Sequence, residues 1–164
     1  MKSITRIVIT GGPCAGKTTA FGVIEQELIQ KGYKVFIVPE TFTDMHNGGI
    51  KLLEYDTVTF QTMLMKYLLY KENIYTMAAE SAKEEKVVIL FDRGMIDNKA
   101  YMSDDEFQQV LRNLKKSEIE IRDEYDAVIH LVTAANGAEA FYSLDNKARY
   151  ETIEMAREVD EKLI

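Results

Sequence analysis

Gly11-Gly12-Pro13-Cys14-Ala15-Gly16-Lys17-Thr18-Thr19 sets a glycine, four residues and then Gly-Lys-Thr directly behind a β-branched run at residues 4–10. That spacing is the Walker A pattern, a loop whose backbone wraps phosphate. Glycines admit positive φ and close backbone approach, which a Cβ obstructs. Lys17 would reach the β- and γ-phosphates, Thr18 would bring its hydroxyl to Mg²⁺, and the N–H groups opening the next helix would form an anion nest. Residues 11–19 are therefore the candidate site for a nucleoside triphosphate, ATP or GTP, with Mg²⁺. Cys14 is the only cysteine, so an internal disulfide is excluded and a reducing compartment expected. Beside the nest it is either a reactive thiol or a small residue filling a variable loop position.

Two further groups stand where strands end. Glu40 follows Pro39 after a run at 33–38, and Asp92-Arg93 follows Val87-Val88-Ile89-Leu90-Phe91. In an open parallel sheet the loops leaving the carboxyl ends of strands face one crevice, so Glu40, Asp92 and Arg93 should meet the triphosphate. Phosphoryl transfer requires a held Mg²⁺, an in-line acceptor and positive charge where charge spreads in the transition state. Asp92 suits the metal, directly or through water. Arg93 suits phosphate or substrate, or else pairs with Asp97 or Glu40. Glu40 suits an acceptor hydroxyl, to orient or deprotonate it, unless it lies on the surface. Arg149 and Arg157 are candidates for a lid that brings guanidinium groups onto the transferred phosphate, or for helix-surface pairs with Glu151, Glu154 or Glu158. His130 lies inside an apolar run with no acidic or cysteine neighbour in sequence, the pattern of a core histidine.

The positioning elements alternate. Strands are expected at 4–10, 33–38, 87–91 and 127–132, each a short apolar run of the kind buried on both faces of a parallel sheet. Helices are expected from Lys17 to about Gly32, at 57–83 behind an Asp56 N-cap, at 97–101, 104–114 and 118–124, and over 151–164. Residues 41–49 read as an active-site loop and 133–146 as a loop or irregular helix. The methionines and tyrosines of the 57–83 helix either line a substrate cleft or pack the core.

The 164 residues suit one α/β domain spanning 1–164. A net charge of -7 and no long Lys/Arg run disfavour nucleic acid as a partner. The absence of a leader-like start or a bilayer-length apolar run makes a cytoplasmic protein the expectation.

Taken together, the residues resemble AAA-family P-loop NTPases of the NadR and translocation-defect types: the ribosylnicotinamide kinase domain of the NadR regulators and the eukaryotic TRPL translocation defect proteins. The likeness rests on the 10–19 segment, Val38-Pro39-Glu40 and Asp92-Arg93-Gly94-Met95-Ile96-Asp97, and on the segments 130–139 and 146–151, which look like the translocation-defect branch. It covers nearly the whole chain. It implies a three-layer P-loop fold with a parallel sheet of order 2-3-1-4-5, nucleotide binding and, in some members, small-molecule kinase activity. Such domains end on a fifth strand, which these residues lack, so a chain cut short at its C-terminus is expected. More distantly, Glu40, Phe60-Gln61 and Asp92-Arg93 look like the acidic residue, substrate-reading glutamine and acidic-arginine pair of deoxynucleoside kinases. That likeness implies that Gln61 faces the acceptor, the alternative being an ordinary exposed helix glutamine. The translocation-defect branch is associated with GTP and phosphoinositides, which implies a second reading, a nucleotide-dependent switch or binding module without kinase activity. Neither Asn98-Lys99-Ala100-Tyr101 nor Asn146-Lys147-Ala148-Arg149 carries the aspartate of a guanine-reading element, and the base stays open.

Overall fold

The computed structural model describes residues 1–137 and 152–164. Its centre is a parallel sheet of β1 (Ser3–Thr10), β2 (Lys34–Val38), β3 (Lys86–Asp92) and β4 (Ala127–His130), in the order β2-β3-β1-β4. This α/β arrangement agrees with the first four strands of the expected order. Side chains alternate along β3: Val88 and Leu90 join Ile9 and Phe21 on one face, whereas Val87, Ile89 and Phe91 join Val8 and Val38 on the other. Both faces are covered, which is why the run lacks the polar alternation of a half-exposed strand.

The first face packs under α1 (Lys17–Gln30). The second packs under α3 (Thr57–Ser81) and α4 (Asp104–Leu114). α3 starts where the sequence says it must, with the Asp56 carboxylate accepting the Thr59 N–H at 2.9 Å. α4 and the short α5 (Glu118–Arg122) each open on a capping box, Ser103 with Glu106 and Ser117 with Glu120. α1 has no such cap. Its N-cap is Gly16, which makes no side-chain cap bond among the described residues, leaving the N–H groups of the first turn without that partner.

Two expectations fail here. The polar stretch 41–49 is α2 (Thr41–Asn47), because Phe42 and Met45 supply an apolar side and Gly48-Gly49 provides the stop. Phe42 packs against Phe60, ring to ring at 6.0 Å. β4, expected to be buried, leaves Val128 60% exposed, since it pairs with β1 alone among the described residues. Residues 96–101 form a 3-10 helix, and α6 (Ile153–Lys162) follows 14 residues that lie outside the described ones. Those 14 include Arg149 and most of the 133–146 loop.

Candidate functional site

The loop between β1 and α1 is shaped by its neighbours. A Cβ on Gly11 would stand 2.2 Å from the Leu131 carbonyl oxygen, and one on Gly12 would meet Asp160 Oδ1 at 3.0 Å. Both glycines are needed for close approach of the chain beyond β4 and of α6. Asp160, on α6 and 2% exposed, accepts the Gly12 N–H at 2.9 Å and the Thr133 N–H at 3.3 Å. The Thr133 hydroxyl donates to the Pro13 carbonyl. The phosphate loop is thus strapped from behind by the C-terminal helix, a tie that no local sequence signal announced.

His130 belongs to the same cluster. Its Nε2 lies 3.2 Å from Asp160 Oδ1, within ion-pair reach but without hydrogen-bond alignment. The acidic companion missing from the neighbouring sequence arrives from α6.

Lys17 stands at the start of α1 with its ammonium on the Gly11 carbonyl at 3.2 Å. Burial brings its pKa down to about 8, and the positive Arg93 adds to the fall. Opposite it, burial pushes the Asp92 carboxyl up to about 6, with the negative Glu40 reinforcing the rise and Lys17 and Arg93 opposing it. Asp92 Oδ1 is buried with no hydrogen-bond partner among the described residues. A destabilised cation and an orphaned carboxylate oxygen are what a bound polyanion and a divalent cation would relieve. The residues present therefore fit Mg²⁺ and triphosphate: Asp92 and the exposed Thr18 would offer oxygens to the ion, and Lys17 would offer its charge to phosphate.

Arg93 takes a positive φ of 71°, uncommon for a side chain of its size. The turn around it is fixed by three bonds: Gly94 N–H to Asp97 Oδ2 and Met95 N–H to the Tyr125 hydroxyl, both at 2.9 Å, and Arg93 N–H to the Ile9 carbonyl at 3.2 Å. Its Nε donates to Glu40 Oε1 at 2.9 Å, so the pairing open at the sequence level is made. Its Nη1 is buried without a partner among the described residues and remains a donor for something else. Burial alone would lower the Arg93 pKa, but Tyr101, Glu40 and Asp97 outweigh it and hold the guanidinium charged.

Glu40 is also held at its second oxygen, which accepts the Thr43 hydroxyl at 2.6 Å. Burial alone would raise its pKa, but Arg93, Thr43 and Lys17 outweigh it and keep the carboxyl below its ordinary value. The Glu40 side chain is partly buried, 26% exposed. Lys71 anchors the strand end from α3, donating to the Pro39 carbonyl and to Asp44 Oδ2, each at 2.6 Å.

Beside these charges lies a cavity of about 400 Å³. Phe42, Leu52, Leu53, Tyr55, Phe60, Leu64, Leu68 and Tyr101 form apolar walls, and Glu40, Gln61, Asp92, Arg93 and Asn98 form a polar end. Gln61 is 5% exposed and its Oε1 has no partner among the described residues. An ordinary exposed glutamine is excluded. The methionines of α3 do not line the cavity, and Tyr67 and Tyr70 point outward.

The four residues Lys17, Glu40, Asp92 and Arg93 are thus close enough to perturb one another's protonation. Arg149 lies outside the described residues. Arg157 donates its Nε to the Ala135 carbonyl at 2.6 Å, a contact behind the phosphate loop. Thr43, Lys71, Asn98, Tyr101 and Asp160 carry no mark in the local sequence, because their contacts depend on neighbours brought in by the fold.

A phosphate loop at the carboxyl end of β1, with an acidic residue and an arginine at the ends of adjacent strands, defines a P-loop nucleoside-triphosphate-binding domain. The chain belongs to a family of AAA domains, AAA_28, which it matches over residues 6–164. No curated protein sequence matches it. Solved structures with the same fold include deoxyadenosine kinase from M. mycoides with products dCMP and a flexible dCDP bound. That structure has 17% identity and a TM-score of 0.54, the match covering 97% of this chain and 81% of that one. The same enzyme with bound dATP gives 18% identity and a TM-score of 0.49 with the same coverage.

Proposed function

We propose that the protein is a kinase that transfers the γ-phosphoryl group of ATP or GTP to a hydroxyl of a small, flat-ringed acceptor, a nucleoside or a molecule built like one. The observation that carries this reading is the cavity whose polar end is Glu40, Asp92 and Arg93, next to Lys17 of the phosphate loop. A machine that only hydrolysed nucleotide would not need an apolar chamber of this size there. Aromatic and leucine walls suit a planar ring, and the open end of the Gln61 amide suits its polar edge. The deoxyadenosine kinase structure with dCMP and dCDP bound supports the acceptor class by analogy of fold alone.

In this reading the acceptor hydroxyl is oriented on Glu40, which is ionised at neutral pH. The hydroxyl oxygen forms the new bond to phosphorus, its proton passes toward Glu40, and the bond to the leaving diphosphate breaks. Arg93 holds Glu40 with Nε, and its unpartnered Nη1 would be the donor to the transferring group. Mg²⁺, when bound by Thr18 and Asp92, neutralises charge on the phosphates.

Labelled ATP and GTP offered with a panel of nucleosides, ribosylnicotinamide and phosphoinositides provide the test. A labelled nucleoside-type product is expected, and Glu40→Gln should keep nucleotide affinity while losing about 10²–10⁴ in transfer rate. Slow hydrolysis with every acceptor, or full transfer by Glu40→Gln, would reject the assignment.

A further inference from the structure

α3 is apolar on two sides. One side carries Phe60, Leu64, Met65 and Leu68 into the core, all at most 5% exposed. On the other side Tyr67, Tyr70, Ile74 and Met77 are 40%, 63%, 44% and 61% exposed. Their spacing of three, four and three residues is the seam of a coiled coil, running about 15 Å along the helix at 1.5 Å per residue. A helix lying on a sheet ordinarily turns a polar face to water. Single exposed apolar residues are common, but a continuous row marks a surface that something covers.

We propose that this row is the interface of a homodimer, in which the α3 helices of two copies pack antiparallel about a two-fold axis passing close to position 72. A two-fold interface must complement itself, and this one does. About that axis Tyr67 faces the second copy's Met77, a sulfur-aromatic contact, and Tyr70 faces its Ile74. One flank of the row repeats at seven residues as Lys66, Asn73 and Glu80, all exposed. The antiparallel arrangement brings Lys66 of each copy to Glu80 of the other and Asn73 to Asn73, so the charges match along with the apolar seam. The self-complementary charge pattern makes a second copy of this chain the occupant, ahead of a different protein. None of the four seam residues lines the cavity at Glu40, so assembly and the nucleotide site can be altered separately.

Sedimentation equilibrium on the full chain tests this, across concentrations from ~0.1 to ~100 μM. A reversible dimer is expected. Ile74→Glu and Tyr70→Glu each place two like charges near the axis and should raise the dimer dissociation constant at least ~30-fold. Nucleotide affinity and the circular dichroism spectrum should stay unchanged, as these residues are exposed and outside the site. Lys66→Glu and Glu80→Lys should each weaken the dimer several-fold, and the double variant should recover it. A wild-type chain still monomeric at ~100 μM would overturn the proposal. So would a dimer indifferent to both glutamate substitutions, or charge reversals that fail to rescue each other.

Discussion

Gln61 and Glu72 lie on one helix, both nearly inaccessible, and their chemistry diverges because their partners do. Gln61 lines the cavity and its buried amide oxygen has no donor among the described residues, so a donor on an acceptor molecule would complete it. Gln61→Leu should raise the KM for the acceptor about 10- to 100-fold and leave the KM for nucleotide unchanged, as steady-state kinetics with each varied in turn would report. Glu72 is satisfied within the protein: it accepts the Tyr125 hydroxyl at 2.5 Å and pairs with Arg6 at 3.5 Å. Burial nevertheless pushes its carboxyl up to about 7, against those two attractions. In the unfolded chain the same group titrates near 4.5, so between those values the folded protein holds a proton that the unfolded chain has lost. The stabilising contribution is therefore complete below about pH 4.5 and declines as pH rises through about 7, by about 3 kcal/mol at most. Urea denaturation from pH 5 to pH 8 should show that decline, and Glu72→Gln should flatten it; an equal slope in both proteins would exclude Glu72 as its source.

At the scale of elements, α3 does more than cover the sheet, because Lys71 reaches from it to the Pro39 carbonyl and to Asp44 on α2. That bridge fixes the strand end from which Glu40 projects. Lys71→Met keeps the aliphatic bulk but strands the carbonyl and the carboxylate. It should cost about 2 kcal/mol in denaturant unfolding and reduce kcat with little change in the KM for nucleotide. A loss of stability with kcat intact would leave Lys71 a structural residue only. Much of this scaffold is legible in the sequence, since the four strands are apolar runs and α3 starts at its Asp56 cap. α2 was not, because a seven-residue helix shows two apolar turns at most and its polar residues resemble a loop. Glu40, Asp92 and Arg93 were readable as strand ends, where topology alone puts them at one crevice. Lys71, Thr43 and Asn98 were not, because a side chain on a helix or in a loop acquires its partner only from packing.

Among the described residues the hydrogen bond that spans the most chain ties α6 to the phosphate loop: Asp160 accepts the N–H of Gly12, 148 residues away. Thr133 binds the same carboxylate and the Pro13 carbonyl, and Arg157 holds the Ala135 carbonyl, so α6, the chain after β4 and the phosphate loop form one hydrogen-bonded layer. A ligand that stabilises the loop must then stabilise the helix behind it, because opening α6 would release a buried carboxylate and uncap Gly12. Nucleotide should accordingly slow amide hydrogen exchange in α6 as well as in residues 11–19, although α6 supplies no group that the proposed site assigns to phosphate. Asp160→Ala should break this transmission, leaving nucleotide to protect the loop alone and weakening its affinity about tenfold through a less ordered loop. Asp160→Asn, which keeps an acceptor for the Gly12 N–H, should retain most of the coupling. Exchange measured by mass spectrometry with and without nucleotide separates the cases, and α6 protection that persists in Asp160→Ala would show that the helix responds through some other contact.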